Sequence, residues 1–286
     1  MKSGFQEQSI VSSKTEQIIT TDYPPDESGW GLWTFLWTVV RGQIQITNTG
    51  TMQNKTILIT GATKGIGYGI AEALIQQHAK VAVTSRSQGA ADEAAAKLNK
   101  LGKGEAIGIG ADVRDSTAQH HAVQTVVKKW KKLDVFIANA GLGYFDSIEN
   151  LTDEQWRETI DTNLTGVFYG IKAAIPALKE SKGYIITIAS LAGTNFFARG
   201  SAYNASKFGL VGFTQAVMLD LRNYGIKVTT IMPGSVATHF NGPTPDHADA
   251  WKIQPEDIGQ MVVDLLKMHP RTLPSKIEVR PSMPGK

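Results

Sequence analysis

The residues best equipped for chemistry lie between Ser190 and Lys207, in the run S-L-A-G-T-N-F-F-A-R-G-S-A-Y-N-A-S-K. Tyr203 and Lys207 are four positions apart, an interval that stacks two side chains on one face of a helix. A phenol titrates near ~10 and exchanges protons poorly at neutral pH, whereas a cation held beside it favours the phenolate. The spacing therefore predicts that Lys207 lowers the Tyr203 value, so that Tyr203 can give a proton to a carbonyl oxygen or take one from an alcohol. Upstream, Gly183 to Ser190 (G-Y-I-I-T-I-A-S) reads as a buried strand ending on a hydroxyl, which would point Ser190 into the same cleft. The pair alone is a weak signal. With 7 tyrosines and 29 Lys and Arg among 286 residues, roughly 0.7 such pairs arise by chance, so its meaning rests on its company.

Thr56 to Thr60 (T-I-L-I-T) is a β-branched apolar run of the kind that makes a central parallel strand. It feeds G-A-T-K-G-I-G and then an amphipathic helix from about Tyr68 to His78. Gly61, Gly65 and Gly67 let the backbone turn tightly and approach a pyrophosphate at a helix start. Glycines after a strand also make ordinary turns; the order of strand, turn and helix favours the phosphate. Lys80 to Ser85 is a second strand, and Arg86 follows it. An acidic residue near this point receives the ribose hydroxyls of NAD, while an arginine accommodates the 2′-phosphate of NADP. Arg86, with Lys64 as a second charge in the glycine turn, predicts NADP(H); the alternative is two solvated surface cations.

A helix from about Gln88 to Leu101 leads to a third strand, Ala106 to Ala111, ending on Asp112 and Val113. Alone, Asp112 is equally a turn or cap residue before a helix starting near Ser116. Leu133 to Ala138 is a fourth strand, closed by Asn139, Ala140 and Gly141, and Lys128 to Lys132 is a solvated helix end. Thr152 caps a long helix that Asp153 opens and that runs through Asn163 toward Leu178, with Pro176 bending or ending it. Asn163 falls on an otherwise apolar face, where a buried amide needs partners. Gly225 to Met232 holds a sixth strand leading into P-G-S-V-A-T, and Ser275 to Arg280 makes an edge strand. Between them a short polar connection, His239 to Ala250, suggests an open pocket, and Pro255 starts a helix at its first turn.

T-G-A-T-K-G-I-G, N-A-G at Asn139 to Gly141, Ser190, Tyr203, Lys207, and P-G at Pro233 and Gly234 together resemble the short-chain dehydrogenase/reductase family, in the expected order over about residues 55 to 280. The resemblance implies an α/β fold with a doubly wound, Rossmann-type, mostly parallel seven-stranded sheet in a single domain. It implies an NADP(H)-dependent oxidoreductase acting on CH-OH and C=O groups, with Asn163, Ser190, Tyr203 and Lys207 catalytic. Cofactor contacts are then expected from Gly61, Thr63, Lys64, Gly65, Ile66, Gly67, Arg86, Asp112, Val113, Asn139, Ala140, Gly141, Tyr203, Lys207, Pro233, Gly234, Val236 and Thr238. In similar enzymes the residue matching Asp112 meets the adenine amino group and that matching Val113 the ring; Asn139 braces the sheet beside the adenosine. Asn163 kinks its helix and holds a water that links the lysine to solvent, Lys207 also binds the nicotinamide ribose, and Thr238 binds the carboxamide or a phosphate. Ala138 stands where the family often has a second asparagine. Relatives are commonly homodimers or homotetramers built on their long helices.

The remaining composition excludes more than it assigns. The chain has no cysteine, so disulfides and thiolate metal ligands are out, and its six histidines form no helical metal pair. A net charge of +3 without a basic block gives nucleic acid no footprint. Residues 1–54 read as a poorly ordered N-terminal extension to a catalytic domain over 55–286. Their apolar burst from Trp30 to Val40 is too short to span a bilayer, which takes about 20 residues, and no clear secretory signal precedes it, so a cytoplasmic location is expected. A start of translation at Met52 would also fit the position of the first strand. The leading expectation is a carbonyl reductase with a small-molecule substrate. A 3-oxoacyl carrier-protein reductase is the named alternative, although the tail R-P-S-M-P-G-K lacks the glycine-rich terminus usual there, and a catalytically silent dinucleotide sensor is the alternative of another class.

Overall fold

The computed structural model describes residues 8–12, 16–20, 37–40, 43–44, 52–240, 242 and 244–283. The chain divides into two units, Met1–Thr49 and Gly50–Lys286. In the first, β1 (Gln8–Ser12), β2 (Glu16–Thr20), β3 (Trp37–Val40) and β4 (Gln43–Ile44) pair antiparallel in that order. Most of the expected N-terminal extension, including Trp30 to Leu36 of the apolar burst, lies outside the described residues.

The second unit alternates strands and helices: β5 (Thr56–Ile59), α1 (Gly65–Gln76), β6 (Lys80–Ser85), α2 (Gln88–Asn99), β7 (Glu105–Gly110), α3 (Ser116–Trp130) and β8 (Val135–Ala138). There follow α4 (Asp153–Ile160), α5 (Gly166–Ser181), β9 (Tyr184–Ile188), α6 (Ser201–Leu221), β10 (Lys227–Pro233), α7 (Pro255–Lys267) and β11 (Lys276–Val279). Seven strands form one parallel sheet, ordered β11-β10-β9-β8-β5-β6-β7. β5, β8 and β9 are buried throughout, as strands covered by helices on both faces must be. Alternate residues serve opposite faces: Ile57, Ile59, Val81 and Ile137 pack with Leu74 and Val262, whereas Leu58, Ala82 and Phe136 pack with Val126, Ile171 and Leu210.

The chain winds outward from β5 to β7, returns through α3, and resumes at β8 on the other side of β5. The order therefore reverses between the C-terminal ends of β5 and β8, where a crevice opens in doubly wound sheets. Two helical expectations need correction. α1 begins at Gly65, not near Tyr68, because the glycine motif itself forms the first helical turn. The long helix is broken: Thr152 caps α4 in a capping box with Gln155, but Asp161–Thr165 is a π-helical turn and Asn163 sits in it. α5 then runs through Pro176 to Ser181.

Phe136 is fully buried at the centre of the sheet, with Gly170 of α5 close against its ring. Phe136→Ala should lower the free energy of urea unfolding by about 3–5 kcal/mol, a core-cavity cost.

Candidate active site

The crevice is shaped first by backbone. Gly61 has φ +63°, and a Cβ there would stand 2.8 Å from Ala140 Cα, so the turns after β5 and β8 touch directly. Thr60 Oγ1 accepts hydrogen bonds from the amides of Asn139 (3.0 Å) and Ala140 (3.1 Å). Asn139 Nδ2 donates to the carbonyls of Thr60 and Gly61, each at 2.9 Å, so Asn139 braces the two turns. Gly67 has a different task from the one expected. A Cβ there would run into Asn139 Nδ2 and come within 2.9 Å of Ala62 Cα. It keeps the helix start tight against the strand end and does not line the crevice.

A cavity of about 1230 Å³ occupies the switch point. That exceeds the ~300–1,000 Å³ of ordinary small-ligand pockets and leaves room for a dinucleotide together with a second molecule. Every other residue expected to touch the cofactor lines it, as do Ser190, Tyr203 and Lys207; Asn163 does not. The walls suit the group. The glycine turn presents bare backbone, and Lys64 and Arg86 face the cavity without an ion-pair partner among the described residues. Thr238 overhangs that turn, since a Cβ on Gly65 would lie 3.4 Å from its side chain.

Asp112 is the turn residue, not the cap: its Oδ1 accepts from the Arg114 amide at 2.9 Å. Asp115 caps α3, accepting from the Thr117 amide at 2.8 Å. Asp112 is gripped by Arg114, with Nη2 2.7 Å from Oδ2 and Nε 3.1 Å from Oδ1, and these bonds hold its carboxyl below the usual range. Arg114 also reaches Glu158 Oε1 at 3.2 Å, and Glu158 accepts from the Tyr144 hydroxyl at 2.6 Å. Sequence reading missed Arg114, for which the only signal was a basic residue two places after Asp112.

At the other end of the cavity, Ser190 follows β9 and accepts from the Ala192 amide at 3.1 Å, which leaves its O–H available to donate. Tyr203 and Lys207 occupy successive turns at the start of α6, with Lys207 Nζ 5.7 Å from the Tyr203 ring centroid. The predicted sign of the tyrosine shift is wrong. Burial pushes the Tyr203 phenol up, and the group that draws it down is the Ser190 hydroxyl, not Lys207. Lys207 is itself almost completely buried; it donates to the Ile188 carbonyl at 3.2 Å, and desolvation lowers its ammonium to about 8.

Asn163 is fully buried and its amide is well used. Oδ1 accepts from the Leu142 amide (2.9 Å), and Nδ2 donates to the Leu142 carbonyl (2.7 Å) and to Ser206 Oγ (3.0 Å). It thus ties the loop after β8 to α6. A Cβ on Gly141 would stand 3.2 Å from Asn163 Oδ1 and 3.6 Å from Lys207 Nζ, so the two atoms face one small space. Aromatic rings that sequence reading did not single out surround Tyr203: Phe145 and Phe240 lie 5.3 and 5.7 Å from its ring, and Phe197 lies 5.9 Å from Phe145. Phe240 comes from the short connection expected to leave the pocket open, and it brings a ring against the tyrosine instead.

Among the described residues no helix is long and apolar enough to cross a membrane. Residues 55–249 match the model of a family described as short chain dehydrogenase. The chain is 37% identical over 189 residues to trans-4-hydroxycyclohexanecarboxylate dehydrogenase of Sinomonas cyclohexanicum, covering 64% of this chain and 73% of that protein. It is 35% identical over 211 residues to a putative ketoacyl reductase of Streptomyces coelicolor, covering 72% and 80%. Its structure resembles an alcohol dehydrogenase from the archaeon Thermococcus sibiricus complexed with 5-hydroxy-NADP, with a TM-score of 0.76, 28% identity, and 80% and 97% of the two chains covered.

Lys207 gives this site a measurable pH signature. Its folded value of about 8 lies below the ~10.4 of a free lysine. Between the two, the unfolded chain binds a proton that the folded chain has released, so this group adds stability as pH rises. In urea unfolding without dinucleotide, wild type should therefore gain on Lys207→Met between pH 7 and pH 10. A difference that stays constant would mean that Lys207 does not titrate in that window.

Proposed function

The chain belongs to the short-chain dehydrogenase/reductase family, and from that premise we propose that it is an NADPH-dependent carbonyl reductase with Tyr203 as its proton donor. It is an oxidoreductase that uses a nicotinamide dinucleotide and acts on carbonyl or secondary alcohol groups. The observation that carries the finer reading is the convergence of the Ser190 and Tyr203 hydroxyls and the Lys207 ammonium on one end of the cavity that the glycine turn opens.

When bound, the dinucleotide supplies the hydride that the carbonyl carbon receives. Ser190 and Tyr203 meet the oxygen on which negative charge gathers, Ser190 with the O–H left free by its bond to Ala192, and Tyr203 passes its proton to that oxygen. The phenol is protonated at neutral pH, as a donor must be, although burial makes it a weaker acid than a free tyrosine. Lys207 stands one helical turn away as the cation that stabilises the phenolate left behind. Asn163 is a positioning residue, holding the loop at Leu142 and the helix at Ser206 around the lysine. Lys64 and Arg86 support NADP over NAD, because the end of β6 offers a guanidinium in place of a carboxylate for the ribose hydroxyls. Trp156, Phe168 and Phe208 stand exposed on α4, α5 and α6, which supports a homo-oligomer built on these helices.

Tyr203→Phe should lower kcat for carbonyl reduction by about 10²–10⁴-fold with the dinucleotide Kd nearly unchanged; retained turnover would remove Tyr203 from its role. Wild type should show a higher kcat/KM with NADPH than with NADH, and Arg86→Asp should shift that ratio toward NADH by about tenfold or more. A wild-type preference for NADH would end the cofactor assignment.

A further inference from the structure

The cavity is charged at one end and aromatic at the other. Phe197, Phe240 and Trp251 line its wall while remaining 47%, 41% and 37% exposed. They come from two separate segments, the loop between β9 and α6 and the connection between β10 and α7. Two of them meet in the fold: the half-buried Phe145 packs 5.9 Å from Phe197 and 6.3 Å from Phe240, edge-on to the latter, and Phe240 lies 5.7 Å from the Tyr203 ring, so the pair forms an aromatic surface beside the tyrosine.

Two cations of the cavity wall are already engaged. Lys252 pairs with Asp249 at 2.6 Å, and its Nζ lies 5.8 Å from the Trp251 ring. Arg280 pairs with Glu278 at 3.1 Å. The lining cations without an ion-pair partner among the described residues are Lys64 and Arg86, on the glycine turn and beyond β6, and Lys207, buried beside Tyr203. A carboxylate held against the rings of Phe197 and Phe240 would leave water with no contact to a free cation shown there, which is unfavourable.

We infer that the substrate is a neutral, apolar ketone bearing an aromatic ring, which packs on Phe197 and Phe240 while its carbonyl reaches Ser190 and Tyr203. This rests on the reductase reading and adds the substrate class to it. The curated relatives include a dehydrogenase named for a carboxylate; this aromatic surface selects against that charge.

The test compares 2-acetylnaphthalene with 6-acetyl-2-naphthoate, which share a frame and differ by one carboxylate. Binding is measured by calorimetry on the full chain with saturating oxidised dinucleotide, so that no turnover is needed, and kcat/KM is measured separately with the reduced cofactor. The neutral ketone should bind at least tenfold more tightly. Phe240→Ala and Phe197→Ala should each weaken its binding by about three- to tenfold, and both rings are exposed enough for truncation to spare the core. Equal or tighter binding of the carboxylate, or variants within twofold of wild type, would overturn the inference. The two ideas fail separately. Reduction of carbonyls without preference for the neutral aromatic ketone sinks this one and leaves the reductase standing, whereas selective binding with no hydride transfer to any carbonyl sinks the reductase.

Discussion

Everything functional in this molecule hangs on the contact between two turns, one after β5 and one after β8. Thr60 and Asn139 exchange hydrogen bonds across it, using a hydroxyl, a side-chain amide and main-chain groups on both sides. Gly61 and Ala140 approach so closely that a single added carbon would part them. Because the two strands are neighbours in the sheet but far apart in sequence, this clamp fixes the floor of a cavity whose walls come from many loops. Buried main-chain groups at a turn must find partners, and here each turn finds them in the other.

The catalytic end is organised by burial. α6 buries Lys207 and sets the partly buried Tyr203 on the cavity wall, and both groups respond in the direction that opposes charge: the phenol holds its proton more firmly and the ammonium less firmly. The carbonyl of Ile188 and the hydroxyl of Ser190, two residues apart at the end of β9, supply the polar partners that make this tolerable. One strand end therefore orients both members of the pair. Nearby, the π turn rotates Asn163 so that one amide serves the loop at Leu142 and the helix at Ser206 together.

The sequence made the parallel sheet legible because its strands are short β-branched runs between helix signals, and Lys80–Ser85 was placed to the residue. The four-residue spacing of Tyr203 and Lys207 was equally readable, since helical geometry is local. What escaped was set by distant packing. The sign of the Tyr203 shift depends on how deeply α6 is buried, which no spacing encodes. The link from Arg114 to Glu158, the partners of Asn163 in the break at Asp161–Thr165 and the packing role of Gly67 each involve a neighbour more than fifteen residues away: Glu158, Leu142 and Asn139. The aromatic surface was invisible for the same reason, since Phe145, Phe197 and Phe240 are separated by about fifty and forty residues and meet only in the fold.

A free phenol already holds its proton at neutral pH, so the upward shift adds nothing to the protonated fraction and makes Tyr203 a weaker acid. In the proposed reaction the lysine one turn away offsets this by offering its charge once the proton has gone. The same exclusion of water that raises Tyr203 also strengthens the hydrogen bond from Ser190 to a developing oxyanion. Phe145 and Phe240, packed on the tyrosine ring, are part of what excludes that water, so the residues that shape the substrate's surroundings also set the proton affinity of the group that acts on it.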